Sequence, residues 1–281
     1  MTCTLLGLTA AVIDIVMVLL VPPLLDGVRR KIYAAIQRRI GPPILQTWYD
    51  LAKLYHRRAS AAETGNPFYL AAPASSLAYA LIAALMLALP CLDSSLAGII
   101  GFTVLLAGST AVVVIGSAGL TPLTSAGSVR LLALSSIAEA GVLLALLAVS
   151  PTLFLHDMQA PMLAAAAAAI ALTLAAIVEF ELAPYNVVEA GPEIAAGPYT
   201  EYGGAELALL MQASWCRGFA LLLAAGLAAF HSWLAAPLYA IIAYLVIAAV
   251  TASIGRPRPL RAMGLAFACL VIGAVALLLT A

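Results

Sequence analysis

Few side chains in this sequence could do chemistry, and those that could are mostly carboxylates. The run EFELAPYNVVEAGPEIAAGPYTEYGGAE, from Glu179 to Glu206, holds six of them: Glu179, Glu181, Glu189, Glu193, Glu201 and Glu206. It contains no Lys or Arg. A carboxyl group taken out of water keeps its proton to higher pH, so clustered or buried acids can accept and release protons near neutrality. Glu189 and Glu193 stand four residues apart, close enough for one charge to raise the proton affinity of the other. Pro184, Gly191-Pro192, Gly197-Pro198 and Gly203-Gly204 interrupt the run, and irregular backbone near a membrane is tolerated where it is buried in protein or lines water. The expectation is a polar funnel. A solvated acidic loop is the bland alternative, against which stand Tyr185, Tyr199 and Tyr202.

Four ionisable positions, Glu179 among them, matter because they fall inside or at the end of apolar runs, where a charge costs several kcal/mol. Glu139 and Glu179 are candidates for a proton relay, or for a static salt bridge or interhelical hydrogen bond. Asp14, a third of the way in from the outer face, is a further candidate. Arg217 reads as a structural counter-ion or an inner-leaflet residue snorkelling to the surface, rather than a transported-ion site. The four cysteines, Cys3, Cys91, Cys216 and Cys269, are scattered singly, and the three histidines are isolated. No spacing fits zinc or an iron–sulfur cluster. No phosphate-binding glycine loop or nucleophile elbow is present.

The elements that must position these groups are membrane helices. The 281 residues are 64% hydrophobic and 9% charged, with mean hydropathy +1.09, where a soluble domain carries about a quarter charged residues. About 20 apolar residues cross the hydrocarbon core. Eight runs qualify: Leu5–Leu25, Leu70–Leu89, Leu96–Ser117, Leu131–Ser150, Met162–Phe180, Leu207–Phe230, Leu234–Ile254 and Leu260–Leu279. The expected fold is all-α, a single integral membrane domain over residues 1–281. The first run lacks a basic flank and is long enough to span, so it reads as a retained helix.

Basic residues favour the cytoplasmic side. Arg29, Arg30, Lys31, Arg38, Arg39, Lys53, Arg57 and Arg58 crowd the first connection, about 26–69. Arg130 marks the third, and Arg256, Arg258 and Arg261 the seventh. Both termini are therefore expected outside, and the acidic connection, about 181–206, shares the cytoplasmic face with the basic one. Within Ile44–Arg58, Ile44, Leu45, Trp48, Leu51, Leu54 and Tyr55 recur at helical spacing, which predicts an amphipathic helix lying in the interface.

Two stretches carry a family resemblance that covers essentially the whole chain. Arg30–Lys53, RKIYAAIQRRIGPPILQTWYDLAK, resembles the first cytoplasmic loop of the superfamily typified by subunit 1 of respiratory complex I. The matching residues are Gln37, Arg39, Gly41, Pro42, Leu45, Gln46, Asp50 and Lys53. Glu179, Pro184-Tyr185-Asn186, Glu189-Ala190, Glu193 and Thr200-Glu201-Tyr202-Gly203-Gly204 resemble that family's loop between its fifth and sixth helices, and Arg130 and Glu139 fall where the family has an Arg and an acid on its fourth helix. Gly41-Pro42 joins Leu45-Gln46 without the extra residues of the quinone-reducing branch, Leu182 replaces its Arg, and Asn186 its Asp. The chain is thus most similar to membrane subunits of energy-converting nickel–iron hydrogenases and formate hydrogenlyase.

The resemblance implies a subunit of a multisubunit oxidoreductase complex in a prokaryotic cytoplasmic membrane, with no cofactor on this chain. A hydrogenase-like large subunit with the nickel–iron centre and an iron–sulfur small subunit are implied on the cytoplasmic side, beside antiporter-like and small membrane subunits in the lipid bilayer. Gln37, Arg38, Arg39, Gly41, Pro42, Gln46, Asp50 and Lys53 are implied to seat that arm. Glu139, Glu179, Glu189, Glu193 and Glu201, with Asp14, form the implied proton-responsive path for proton or sodium translocation. A quinone-binding subunit, a stand-alone proton-coupled transporter and an inert anchor remain the competing readings.

Overall fold

The computed structural model describes residues 2–57, 67–88, 96–117, 121–154, 161–181, 186, 197–254 and 259–280. Its helices are α1 (Thr2–Ile36), α2 (Gln46–His56), α3 (Pro67–Ala88), α4 (Leu96–Ser117), α5 (Pro122–Phe154), α6 (Met162–Glu179), α7 (Gly204–Phe230), α8 (Ala235–Ser253) and α9 (Pro259–Leu278), with a 3-10 turn at Gly197–Glu201. Among the described residues there is no strand, and eight of these helices are long and apolar enough to cross a membrane. The chain is an all-α integral membrane protein. Three helices start on a proline, α3, α5 and α9, where the missing N–H has no intrahelical partner to lose.

Two helices outrun their apolar stretches. α1 passes through Pro22 and Pro23 and carries Asp26 to Lys31 as helix, whereas sequence hydropathy ends the span at Leu25. Helical spacing is held there because Asp26 pairs with Arg29 and Arg30, three and four residues on, a favourable helical arrangement. α5 starts at Pro122, so Arg130 lies on the helix rather than in a connection. The amphipathic helix expected in the first connection is present as α2, with Thr47 and Leu51 buried.

α7 is the central post: 83% of its apolar stretch is buried, against half or less in the other spans. α1, α3, α6 and α8 pack around it, and α4, α5 and α9 complete an outer layer against α3 and α6. Close packing comes from small residues. The alanine run of α6 buries Ala164, Ala165, Ala168 and Ala169, and Gly141 of α5 meets Gly273 of α9 so closely that a Cβ on Gly273 would sit 2.5 Å from the Gly141 carbonyl oxygen. With little hydrophobic drive between helices in lipid, such backbone approach supplies the packing.

Polarity is inverted relative to a soluble protein. Leu238, Ile242, Val246 and Val250 form an exposed stripe on α8, while Arg217 and Glu179 are buried. One end of the bundle collects α2, the C-terminal ends of α1, α4, α6 and α8, the N-terminal ends of α3, α5 and α7, and the 3-10 turn. Tyr33 bonds Thr251 there at 2.6 Å, and Tyr55 donates to Gln212 at 2.7 Å.

Candidate functional site

Arg217 sits midway along α7 with 1% of its surface exposed. Its Nε donates to Glu179 Oε2 at 2.8 Å, and one terminal nitrogen donates to Ser109 Oγ at 3.0 Å, with Ser76 Oγ at 3.5 Å. The other terminal nitrogen lies 3.7 Å from Glu181 Oε1. Three helices, α3, α4 and α6, and the chain after α6 thus supply one guanidinium with partners, as a buried charge requires. Arg217 is buried and ion-paired inside the bundle, the setting of a structural counter-ion.

Two carboxylates reach one arginine because of how α6 ends. Glu179 is its last residue, Phe180 stays helical with its N–H bonded to Ala176, and Glu181 turns left-handed at φ 50°. Asn or Gly usually occupies such a position, so a glutamate there carries strain of about 1–3 kcal/mol. The turn sends the Glu181 side chain back towards Arg217, where Tyr199 of the 3-10 turn also donates to it at 2.6 Å. The Phe180 ring lies against Gly218, the neighbour of Arg217, in space that any side chain at that position would fill. Glu179 keeps a second oxygen, Oε1, buried with no hydrogen-bond partner among the described residues.

Glu139, on α5, forms a neighbouring site. It accepts from Thr110 at 3.3 Å and stands within Coulombic reach of both Glu179 and Arg217. Ser109 and Thr110 are consecutive on α4, about 100° apart around the helix, so one turn of α4 faces both acids. Glu201 is farther out, accepting from Thr121 at 3.1 Å, while its backbone carbonyl accepts from Tyr69. Asp14 is buried on α1 with Oδ2 unpartnered among the described residues. Asn186 is buried, Arg130 is half-buried on α5, and Glu189 and Glu193 lie outside the described residues. The structure thus unites Glu179 with Arg217, places Glu139 beside them, and leaves Glu201 and Asp14 apart.

Glu181 belongs to the site, although sequence reasoning counts it only among the acids of the run. Its signal, the two-residue spacing from Glu179, means nothing until the left-handed turn is known. Glu206, in the first turn of α7 where the helix dipole favours an acid, has Oε2 buried without a partner among the described residues. Tyr202 stacks on Tyr69 with ring centres 4.6 Å apart, and burial, with Tyr69 and Glu206 nearby, pushes its phenol upward.

A second cluster ties α2 to α1. Asp26, 1% exposed, accepts from Arg29 and Arg30 Nε and from Thr47, each at 2.9 Å. Arg30 also reaches Asp50 at 2.9 Å, and Gln46 donates to the other Asp50 oxygen at 2.9 Å. Asp50 and Gln46 are therefore engaged within the chain. Gln37, Arg38, Arg39 and Lys53 are exposed, with Gly41 and Pro42 half-buried beside them. Gly27 lies directly under the Ile44 carbonyl, which brings the 41–45 segment onto α1. Burial, with Cys216 nearby, also raises the Tyr55 phenol, so it remains a donor.

Between the two clusters is a cavity of about 190 Å³, lined by Asp26, Arg29, Arg30, Phe180, Glu181, Tyr199, Met211, Ser214 and Trp215. At about 30 Å³ per water it has room for roughly six. Among the described residues no group of three or more His, Cys, Asp or Glu could hold a metal ion.

Comparison with known proteins agrees with this architecture. The family described as NADH dehydrogenase matches residues 8–281. Hydrogenase-4 component C of Escherichia coli (strain K12) is 30% identical over 224 residues, covering 74% of this chain and 70% of that protein. A chain in the structure of the membrane-bound sulfane sulfur reductase, an archaeal respiratory membrane complex, superposes with TM-score 0.77. It is 22% identical, with coverage of 98% of this chain and 99% of that one, a likeness of fold. A match along nearly the whole length, with a relative at this identity, makes the chain a member of the NADH dehydrogenase family of complex I membrane subunits.

Proposed function

We propose that this chain is the membrane subunit of an energy-converting hydrogenase-type complex, and that its buried charges couple electron transfer to proton or sodium translocation. The observation that carries the coupling role is Arg217, fully buried between Glu179 and Glu181 inside an apolar bundle. An anchor needs no such arrangement, since well-packed apolar residues stabilise a core as well or better. Glu139, Glu201 and Asp14 extend the proton-responsive path, with Glu189 and Glu193 assigned to it from the family motif.

The relatives are components of multisubunit assemblies, so the chain works with other subunits. In this reading a hydrogenase-like large subunit and an iron–sulfur small subunit bear the nickel–iron centre and clusters. They sit on the cytoplasmic face against Gln37, Arg38, Arg39, Gly41, Pro42 and Lys53, while Gln46 and Asp50 hold α2 in place beneath them. Antiporter-like membrane subunits take the lateral faces, and both termini lie outside a prokaryotic cytoplasmic membrane.

The cavity bears on the competing quinone reading. Its lining by Asp26, Arg29, Arg30 and Glu181 suits water better than the mostly apolar walls of an organic-ligand pocket. The test is purification of the gently solubilised complex. Nickel in a copurifying large subunit, and loss of ion movement per hydrogen formed in Glu179→Gln, support the proposal. A bound quinone, or activity sensitive to quinone analogues, overturns it.

A further inference from the structure

Within the Arg217 cluster the two carboxylates are not equivalent. Glu179 binds Nε of Arg217 at 2.8 Å and does not line the cavity. Glu181 stands at 3.7 Å from the guanidinium, bonds to Tyr199, and faces the cavity together with Arg29, Arg30 and Asp26. Among the described residues it is the acid that lies within ion-pair reach of the buried arginine and also lines the space water can occupy.

We propose that Glu181 is the proton-loading residue of the site, exchanging protons between the cavity and the Glu179–Arg217 pair. The inference rests on the coupling role proposed above. Glu179 and Glu181 share one guanidinium, while Arg29 and Arg30 across the cavity are engaged by Asp26 and Asp50, so of the two acids the one held less closely by Arg217 binds a proton more readily. That proton binds where attraction to Arg217 is weaker and water is nearer, which is Glu181. Among the described residues the groups facing it are Arg217 from α7, Glu179 from α6, Tyr199 from the 3-10 turn, and Asp26, Arg29 and Arg30 from α1. A proton delivered through cavity water forms the carboxyl O–H. Release returns the same proton to water or passes it towards the buried Oε1 of Glu179, which has no hydrogen-bond partner among the described residues, with no electron transferred. Tyr199 donates to the charged form and so holds the affinity down.

The experiment uses the intact complex reconstituted in liposomes, with ions moved per hydrogen formed, the pH profile of coupled turnover, and the protonated-carboxyl band in redox difference infrared spectra. Glu181→Gln is expected to lower the ion-to-hydrogen ratio at least tenfold and remove the band, and Glu181→Asp to restore both in large part. Tyr199→Phe removes a hydrogen bond to the ionised form and is expected to move the profile to higher pH by roughly 0.5–1 unit. Normal translocation in Glu181→Gln with loss in Glu179→Gln overturns this inference and leaves the coupling role standing. Normal translocation in both overturns both. Should Glu181→Gln not assemble, an unmoved profile in Tyr199→Phe overturns it.

Discussion

A guanidinium buried among apolar helices is stable only while its donors stay occupied, and Arg217 spends them on Glu179, Ser109, Ser76 and the nearby Glu181. Arg217→Met removes the cation and strands the acids, a change expected to cost about 3–5 kcal/mol. Adding Glu179→Gln and Glu181→Gln to that variant should recover most of the loss, because neutral amides no longer need the charge. Thermal unfolding of the detergent-solubilised chain measures both. Arg217→Lys should fall between, since an ammonium cannot present the planar fork that reaches several partners. The phenols of Tyr202 and Tyr55 give a pH prediction. Their folded pKa values lie above the unfolded value of about 10, so their contribution is complete below pH about 10. It declines as pH rises through the folded values, because the unfolded chain ionises first. Tyr202→Phe should flatten that decline in melting curves taken above pH about 10. A slope equal to the parent's would show that Tyr202 is not the group responsible.

Helix contacts here depend on what side chains leave out. At Gly141 of α5, a Cβ would lie 2.7 Å from Cys269 Sγ and 2.8 Å from the Leu270 backbone nitrogen. Gly141→Val should therefore cost about 1–3 kcal/mol by overpacking. Gly264 of α9 has open space around its Cβ direction, so Gly264→Ala should be neutral or slightly stabilising in the same melt. At the other end of the bundle, Asp26→Asn weakens the hold on Arg29, Arg30 and Thr47 together. Amide exchange across residues 46–56 should quicken at least tenfold, with the α3–α4 core unchanged. Much of this element plan is legible in the sequence: hydropathy alone delimits Leu96–Ser117 to the residue, and α6 to within one. α1 and α5 are not, because hydropathy reports where lipid lies and not where a helix stops. The extension of α1 is secured by Asp26 pairing with charges on its own helix, in a stretch that reads as a basic loop. The role of Glu181 is hidden for another reason. It depends on one left-handed residue after α6, at a position where no glycine or asparagine signals the turn.

At the scale of the whole molecule, the polar end of the bundle has two layers. Asp26, Asp50 and Gln46 are committed to internal contacts around the cavity. Gln37, Arg38, Arg39 and Lys53 stand outside them, exposed on the segment between α1 and α2 and on α2 itself. If the peripheral arm seats on this outer layer, long-range attraction should assist docking and be screened beyond about 8 Å at physiological salt. Reversing both arginines, Arg38→Glu with Arg39→Glu, changes the local charge by four, two units at each position. Exposed pairs contribute only about 0–1 kcal/mol each, so the variant should still assemble at low ionic strength. In the proposed assembly it should release the nickel-bearing subunits at a salt concentration where the parent complex holds them, while the lateral membrane subunits stay bound. Gel filtration across a salt series, with nickel measured in each fraction, reads both effects. Equal salt resistance in the two complexes would place the arm elsewhere on this end of the chain. An Asp50→Asn variant separates the layers further: it should loosen α2 through Arg30 and Gln46, giving faster exchange there with little change in the salt at which the arm departs.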